Sequence, residues 1–183
     1  MKKILAFGAS NSRNSINKKL ANWAAQQIPG TIHTLIDLND FEMPIYSIDR
    51  EKENGIPNQA QQFKELIKSH DAILISFAEH NGNVSAAFKN IFDWVSRLEG
   101  KVWDGKPMML LATSPGGRGG ASVLEIVTKS FPFRGGKVMA SFSLPSFKQN
   151  FSSDNGITNG ELKNVFLEKI NLFEKEINSE VII

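Results

Sequence analysis

Cysteine is absent from this 183-residue chain. That excludes disulfides, thiol nucleophiles, iron–sulfur clusters and cysteine-ligated zinc. Histidine is scarce, and His33, His70 and His80 lie too far apart in sequence to form a local metal motif. With no metal ligand set and no side-chain nucleophile in evidence, redox chemistry would fall to an organic cofactor. Long apolar runs are missing too. Met1-Lys2-Lys3 leads into Ile4-Leu5-Ala6-Phe7, but the run stops at Gly8 without a small-residue cleavage site. It is too short for a signal sequence or a bilayer span, so the expected setting is cytoplasmic, without membrane insertion. An excess of either charge is also lacking. The 21 Lys and Arg exceed the 19 Asp and Glu by +2, with both signs scattered along the chain, and nothing suggests a nucleic-acid surface.

What is present is the composition of an ordinary folded chain, 41% hydrophobic and 22% charged. The length suits one domain spanning residues 1–183. Short apolar runs at Ile4–Phe7, Ile32–Ile36, Ala72–Phe77, Met108–Ala112 and Val138–Phe142 predict strands. Those at 72–77 and 108–112 do not alternate, as expected of parallel strands covered on both faces. Helical spacing of apolar residues predicts helices over Ile16–Ile28, Gln59–Lys68, Ala86–Leu98, Ala121–Phe131 and Glu161–Ile177. In the last, Leu162, Val165, Phe166, Ile170, Phe173 and Ile177 form one stripe. Segments 39–57 and 143–158, rich in Pro, Asn, Ser and Gly, are expected to be surface loops near the ligand edge.

Alternation of strand and helix implies an α/β fold, a doubly wound parallel sheet with helices on both faces. Five strands favour the flavodoxin-like order 2-1-3-4-5, in which ligands bind beyond the carboxyl ends of the strands at the switch point. The loops after strands one, three and four are therefore the informative ones.

In the first of them, Gly8–Asn17, six of ten residues are Ser or Asn and one is Arg13. Hydroxyl and amide donors, free backbone N–H groups and the positive end of a helix suit a phosphate dianion. The competing assignment is a βα turn with a serine helix cap, which explains one serine better than a loop of donors. A Walker Lys-Thr pair and a Gly-x-Gly-x-x-Gly run are both missing, which argues against nucleoside-triphosphate chemistry and the common dinucleotide fingerprint. After strand four, Thr113-Ser114-Pro115-Gly116-Gly117-Arg118-Gly119-Gly120 carries four glycines that let backbone approach a flat ligand closely.

Taken together, Gly8-x-Ser10-x-x-Arg13-x-Ser15-x-Asn17, the segment Phe77–Trp94 and the loop Ser114–Gly120 resemble the NAD(P)H-dependent FMN reductase family, flavodoxin-like relatives of quinone, chromate and azo reductases. The similarity runs from the first strand to about residue 142. It implies that Ser10, Arg13, Ser15, Ile16 and Asn17 hold the FMN phosphate. It implies further that Ala78, Glu79, His80, Asn81 and Gly82 lie along the isoalloxazine, with Ser114, Gly116 and Gly117 on the other edge. Phe88-Lys89-Asn90-Ile91-Phe92-Asp93-Trp94 matches the family's Leu-Lys-Asn-x-x-Asp-Trp helix, which in the family commonly forms the dimer contact.

Three positions depart from the family: Ala78 and Ser85 stand where proline is common, and His80 replaces tyrosine. The missing prolines suggest a more mobile loop, and His80 bears on substrate preference more than on flavin binding. For His80 itself, stacking, proton transfer and a solvent-facing contact at the pocket all stay open. Arg118 is open to three partners: the cofactor, a nicotinamide nucleotide phosphate, or solvent. Phe88, Phe92 and Trp94 are expected in the core or an interface, Asp93 in a structural role, and Lys18 and Lys19 on the helix surface.

The implied activity is electron transfer from NADH or NADPH through FMN to a quinone, flavin or similar small acceptor by a ping-pong mechanism. No side chain need be catalytic, because the cofactor carries the hard chemistry. The expected assembly is a homodimer, with further pairing into a homotetramer open. The rival function is a flavodoxin-like electron carrier without NAD(P)H oxidoreductase activity, against which a charge of +2 argues, since such carriers are usually acidic. A related fold that binds another phosphorylated ligand is a third. Replacing Ser15 and Asn17 together by alanine is expected to weaken FMN retention and leave the fold intact.

Overall fold

The computed structural model describes residues 1–179. Strands β1 (Lys2–Ala9), β2 (Thr31–Ile36), β3 (Ala72–Phe77), β4 (Pro107–Thr113) and β5 (Lys137–Leu144) form one sheet in the order β2-β1-β3-β4-β5, with every neighbouring pair parallel. This is the predicted order. Helices are numbered along the chain as α1 (Ile16–Gln26), α2 (Ile48–Asn54), α3 (Asn58–Ser69), α4 (Ala86–Val95), α5 (Ala121–Ser130), α6 (Phe147–Asn150) and α7 (Gly160–Asn178).

Period-two geometry sends alternate strand residues to opposite faces. Leu5, Phe7, Ile73, Ile75, Met108 and Leu110 enter a core shared with α3, α4 and α5. Ile4, Ala6, Leu74, Met109 and Leu111 enter a second core with α1 and α7. All of β3 is buried as a result, which is why its sequence shows no alternation. Phe88 and Trp94 lie in the first core and Phe92 packs against it, as expected.

Side-chain caps fix most helix starts. Ser15 Oγ accepts from Lys18 N, Ser85 Oγ from Phe88 N and Asn159 Oδ1 from Leu162 N, each satisfying a first-turn N–H. The helix predicted over 86–98 ends earlier, at Val95, although Leu98 still packs on the core. In α7 the predicted stripe holds at Phe166, Ile170, Phe173 and Ile177, whereas Val165 is exposed.

Both segments expected to be surface loops are more ordered than that. Residues 39–57 contain α2 and most of a 3-10 turn, Leu38–Phe41, and Phe41 and Met43 are buried. The order comes from α4. Asn90 Nδ2 donates to the carbonyls of Met43 and Pro44, Asn90 Oδ1 accepts from Tyr46 N at 2.8 Å, and Trp94 Nε1 donates to Pro44 O at 2.7 Å. Residues 143–158 contain the end of β5, then α6 and a hairpin of β6 (Phe151–Ser152) and β7 (Gly156–Ile157). Phe147 stacks on Phe151 with centroids 4.6 Å apart, and Ile157 is buried. Gly156, at φ 68°, lies so close to the Trp23 ring that no side chain fits there. Among the described residues no helix is long and apolar enough to cross a membrane.

Candidate active site

Beyond the carboxyl ends of β1, β3 and β4 opens a cavity of about 300 Å³. The loop after β1 lines it with Ser10, Ser12, Asn14, Ser15, Ile16 and Asn17. The loop after β3 adds Ala78, Glu79 and His80, and the end of β4 with the loop after it adds Thr113, Ser114 and Pro115. One concavity thus joins the three loops singled out in the sequence.

The first loop can be reached so closely because Gly8 brings β1 against α1; a Cβ there would strike the backbone of Asn17 and Lys18. Ser10 Oγ accepts from Ser12 N, and Ser15 Oγ accepts from Lys18 N, both at 3.1 Å. Each hydroxyl has been used as an acceptor, so its own proton remains for a ligand. The N–H groups of Ile16 and Asn17, at the start of α1, find no acceptor among the described residues. Two hydroxyl donors and two helix-terminal N–H groups therefore converge on a wall of the cavity, and the helix dipole favours an anion there.

Asn17 plays a different part from the one expected of its side chain. It is 2% exposed, and its amide is consumed inside the protein. Oδ1 accepts from Ser76 Oγ at 2.7 Å and from Thr113 N at 3.1 Å, while Nδ2 donates to Thr113 O at 3.1 Å. The side chain clamps α1 to the ends of β3 and β4, and only its backbone N–H is left for a ligand. Lys18 is likewise engaged: its Nζ pairs with Asp37 at 2.5 Å. That ammonium, together with Asn39 N–H, holds the Asp37 carboxyl below its ordinary value. Arg13 is exposed, off the cavity wall and without an ion pair among the described residues.

The loop after β3 is pinned rather than loose. His80 and Asn83 exchange backbone hydrogen bonds across Asn81 (φ 53°) and Gly82 (φ 75°), a two-residue turn that needs left-handed backbone at both centres. Ser85, found where proline was expected, caps α4 and donates from Oγ to Ala9 O at 2.9 Å. Glu79 Oε2 accepts from Val123 N at 3.0 Å. His80 itself is exposed at the cavity rim, and Asn81 and Gly82 lie off its wall.

In the third loop the four glycines separate. A Cβ on Gly119 (φ 58°) would sit 2.5 Å from Ser143 Oγ and 2.8 Å from Leu144 C, and one on Gly120 (φ 77°) 2.9 Å from the Ala112 Cβ. Gly116 and Gly117 have ordinary backbone, and a Cβ on either meets nothing nearer than Ser114 Oγ at 3.9 Å. Their N–H groups also lack acceptors among the described residues. Arg118 donates to Ser122 Oγ and Asp93 pairs with Lys89, both away from the cavity wall.

Of the residues expected at the site, the cavity gathers Ser10, Ser15, Ile16, Asn17, Ala78, Glu79, His80 and Ser114, and leaves Arg13, Asn81, Gly82, Gly116 and Gly117 off its wall. Thr113, Ser76 and Ser85 were missed. A polar residue inside or ending an apolar strand was the available signal for the first two, and serine before a helical run for the third.

These features define a flavodoxin-like α/β protein with an anion-receptive loop at the switch point of its sheet. The chain belongs to the NADPH-dependent FMN reductase family, whose model matches residues 2–149. It is 32% identical over 161 residues to a protein of Mycoplasma pneumoniae, covering 85% of this chain and 95% of that one. It is 36% identical over 121 residues to a 2-hydroxy-1,4-benzoquinone reductase of a Burkholderia species, covering 65% of this chain and 64% of that enzyme, just under two thirds of its length. Among solved structures, it shares its fold with a flavoenzyme NAD(P)H:(acceptor) oxidoreductase from Paracoccus denitrificans at a TM-score of 0.77 and 23% identity, with 97% of each chain covered.

Proposed function

We propose that this protein is an FMN-dependent oxidoreductase that passes electrons from NADH or NADPH to a quinone or similar small acceptor. The observation that carries the reading is the convergence of three loops on one cavity, with free donors on one wall and two unobstructed glycines in the loop after β4. The donor set fits FMN. The hydroxyls of Ser10 and Ser15 and the N–H groups of Ile16 and Asn17 would hold the phosphate, with Arg13 supplying charge. Glycine at 116 and 117, which the protein's own packing does not require, leaves room for the flat ring and presents N–H donors to it. Bound FMN supplies the hydride chemistry.

The protein's residues bind and orient. Ala78 and His80 would wall the ring on one side and Ser114 on the other, with Glu79 lining the cavity between them and the start of α5. The free N–H groups of Gly116 and Gly117 would hold the ring and favour negative charge on it. No side chain acts as nucleophile or obligate base. A single cavity serving donor and acceptor in turn supports ping-pong kinetics. A reduced nicotinamide donor implies a cytoplasmic setting. The protein is further proposed to pair as a homodimer over α4, beside which Ile45 and Ile48 are 75% and 55% exposed.

Anaerobic addition of NADPH or NADH to the flavin-loaded protein, followed by a benzoquinone, is the direct test. Flavin absorbance should bleach with the nicotinamide and return with the quinone. Absorbance indifferent to both nicotinamides would leave an electron carrier instead.

A further inference from the structure

Helix α5 begins without a cap of its own. Gly120 occupies the N-cap position in a left-handed conformation and has no side chain to offer. Neither can another residue replace it there, because a Cβ would press on Ala112. Ala121 N–H finds the carbonyl of Arg118, but Val123, fully buried at the third helical position, needs an acceptor from elsewhere. Glu79 provides it across 44 residues, with Oε2 3.0 Å from Val123 N. A carboxylate at the positive end of a helix is well placed for this.

That bond has a second consequence. Glu79 lines the cavity on the β3 side, while α5 continues directly from the glycine-rich loop on the β4 side. Beyond the last paired residues of the two strands, Phe77 and Ala112, the Glu79–Val123 bond is the one side-chain hydrogen bond joining residues 78–84 to residues 113–125 among the described residues. Each loop has other anchors, but those tie it to different elements: Ser85 to β1, and Ser143 to Gly119 from β5.

We propose that Glu79 is a positioning residue: its carboxylate caps α5 and thereby sets the gap between the two loops that would flank the flavin ring. The proposal rests on the flavin reading above. Glu79 acts through Val123 rather than by contact with the ring, unlike the role its place in the motif implied. Glutamine keeps an oxygen at the same reach and preserves the strap; aspartate keeps the charge but falls short by one methylene.

The test compares FMN binding by the flavin-free protein, followed by flavin fluorescence, across four forms. Glu79→Ala and Glu79→Asp should each weaken affinity by about tenfold, the loss of one charge-assisted hydrogen bond. Glu79→Gln should stay within about threefold of the parent, because the amide oxygen still accepts. Asn159→Ala removes the cap of α7 and controls for general loss of stability; it should lower the melting temperature and leave FMN affinity unchanged. Equal affinity in Glu79→Ala and the parent overturns the proposal, as does a matching loss in Asn159→Ala.

Amide exchange of the flavin-free parent gives a check that needs no variant. Val123 N–H should exchange more slowly than Ser122 N–H, which has no acceptor among the described residues; equal rates overturn the strap. A parent that fails to bind FMN would instead overturn the flavin reading, and the positioning role with it.

Discussion

Four glycines follow β4, and their surroundings divide them into two pairs. Gly119 and Gly120 answer to the protein: positive φ and crowding by Ser143, Leu144 and Ala112 leave no place for a side chain. At Gly116 and Gly117 no packing among the described residues requires glycine, since both have ordinary backbone and room for a Cβ. Gly119→Ala should therefore cost about 2–4 kcal/mol of stability through strain and overpacking. Gly117→Ala should unfold within about 1 kcal/mol of the parent yet bind FMN more weakly. Urea unfolding and flavin titration of the two variants separate the effects. Asn17 shows the opposite division. Its place in the motif pointed to a phosphate ligand, but the side chain holds Ser76 and Thr113. Asn17→Ala leaves a buried hydroxyl and a buried N–H without their partner, so the variant should lose about 2–4 kcal/mol in urea unfolding. Alanine at 15 and 17 together is therefore expected to lower stability as well as FMN retention. A motif names the residue type at a position; which of its atoms face the ligand depends on contacts 59 and 96 positions away.

Among the elements, the strands and most helices were legible in the sequence because their signal is local. Buried runs such as Ala72–Phe77 and spaced apolar residues such as Leu20 and Ala24 carry their period with them. Segments 39–57 and 143–158 were not legible, because their order is borrowed. Asn90 and Trp94 hold the carbonyls of Met43 and Pro44 from 46 to 50 residues away, and an aromatic contact with Trp23 seats the β6–β7 hairpin. No window on either segment contains those partners. Asn90→Ala removes three of these bonds, and proteolysis within residues 42–54 should quicken while the sheet stays protected; unchanged cleavage would show that α4 does not hold the segment.

At the end of β2, Asp37 fastens the next turn to α1 through Lys18. Its folded pKa is depressed, so its stabilisation is complete above the unfolded value near 3.8 and disappears as pH falls through the lower folded value. Asp37→Asn should cost a few tenths to about 1 kcal/mol at neutral pH, and the difference from the parent should vanish in acid once the pH falls below the depressed folded value.

On the scale of the whole molecule, the sheet order decides where chemistry is possible. With β1 and β3 adjacent and β2 on the far side of β1, the carboxyl ends of β1, β3 and β4 open on one cavity. The proposed function divides the labour among them: the loop after β1 would offer donors to a phosphate, and the loops after β3 and β4 would wall the ring. Amide correlation NMR on the flavin-free protein, titrated in parallel with FMN and with riboflavin, tests that division most directly. FMN should shift the amides of Ser15, Ile16 and Asn17 together with those of residues 79–82 and 114–117, whereas riboflavin, which lacks the phosphate, should move only the latter two groups. Amides of Ile16 and Asn17 that stay in place when FMN binds would contradict the account.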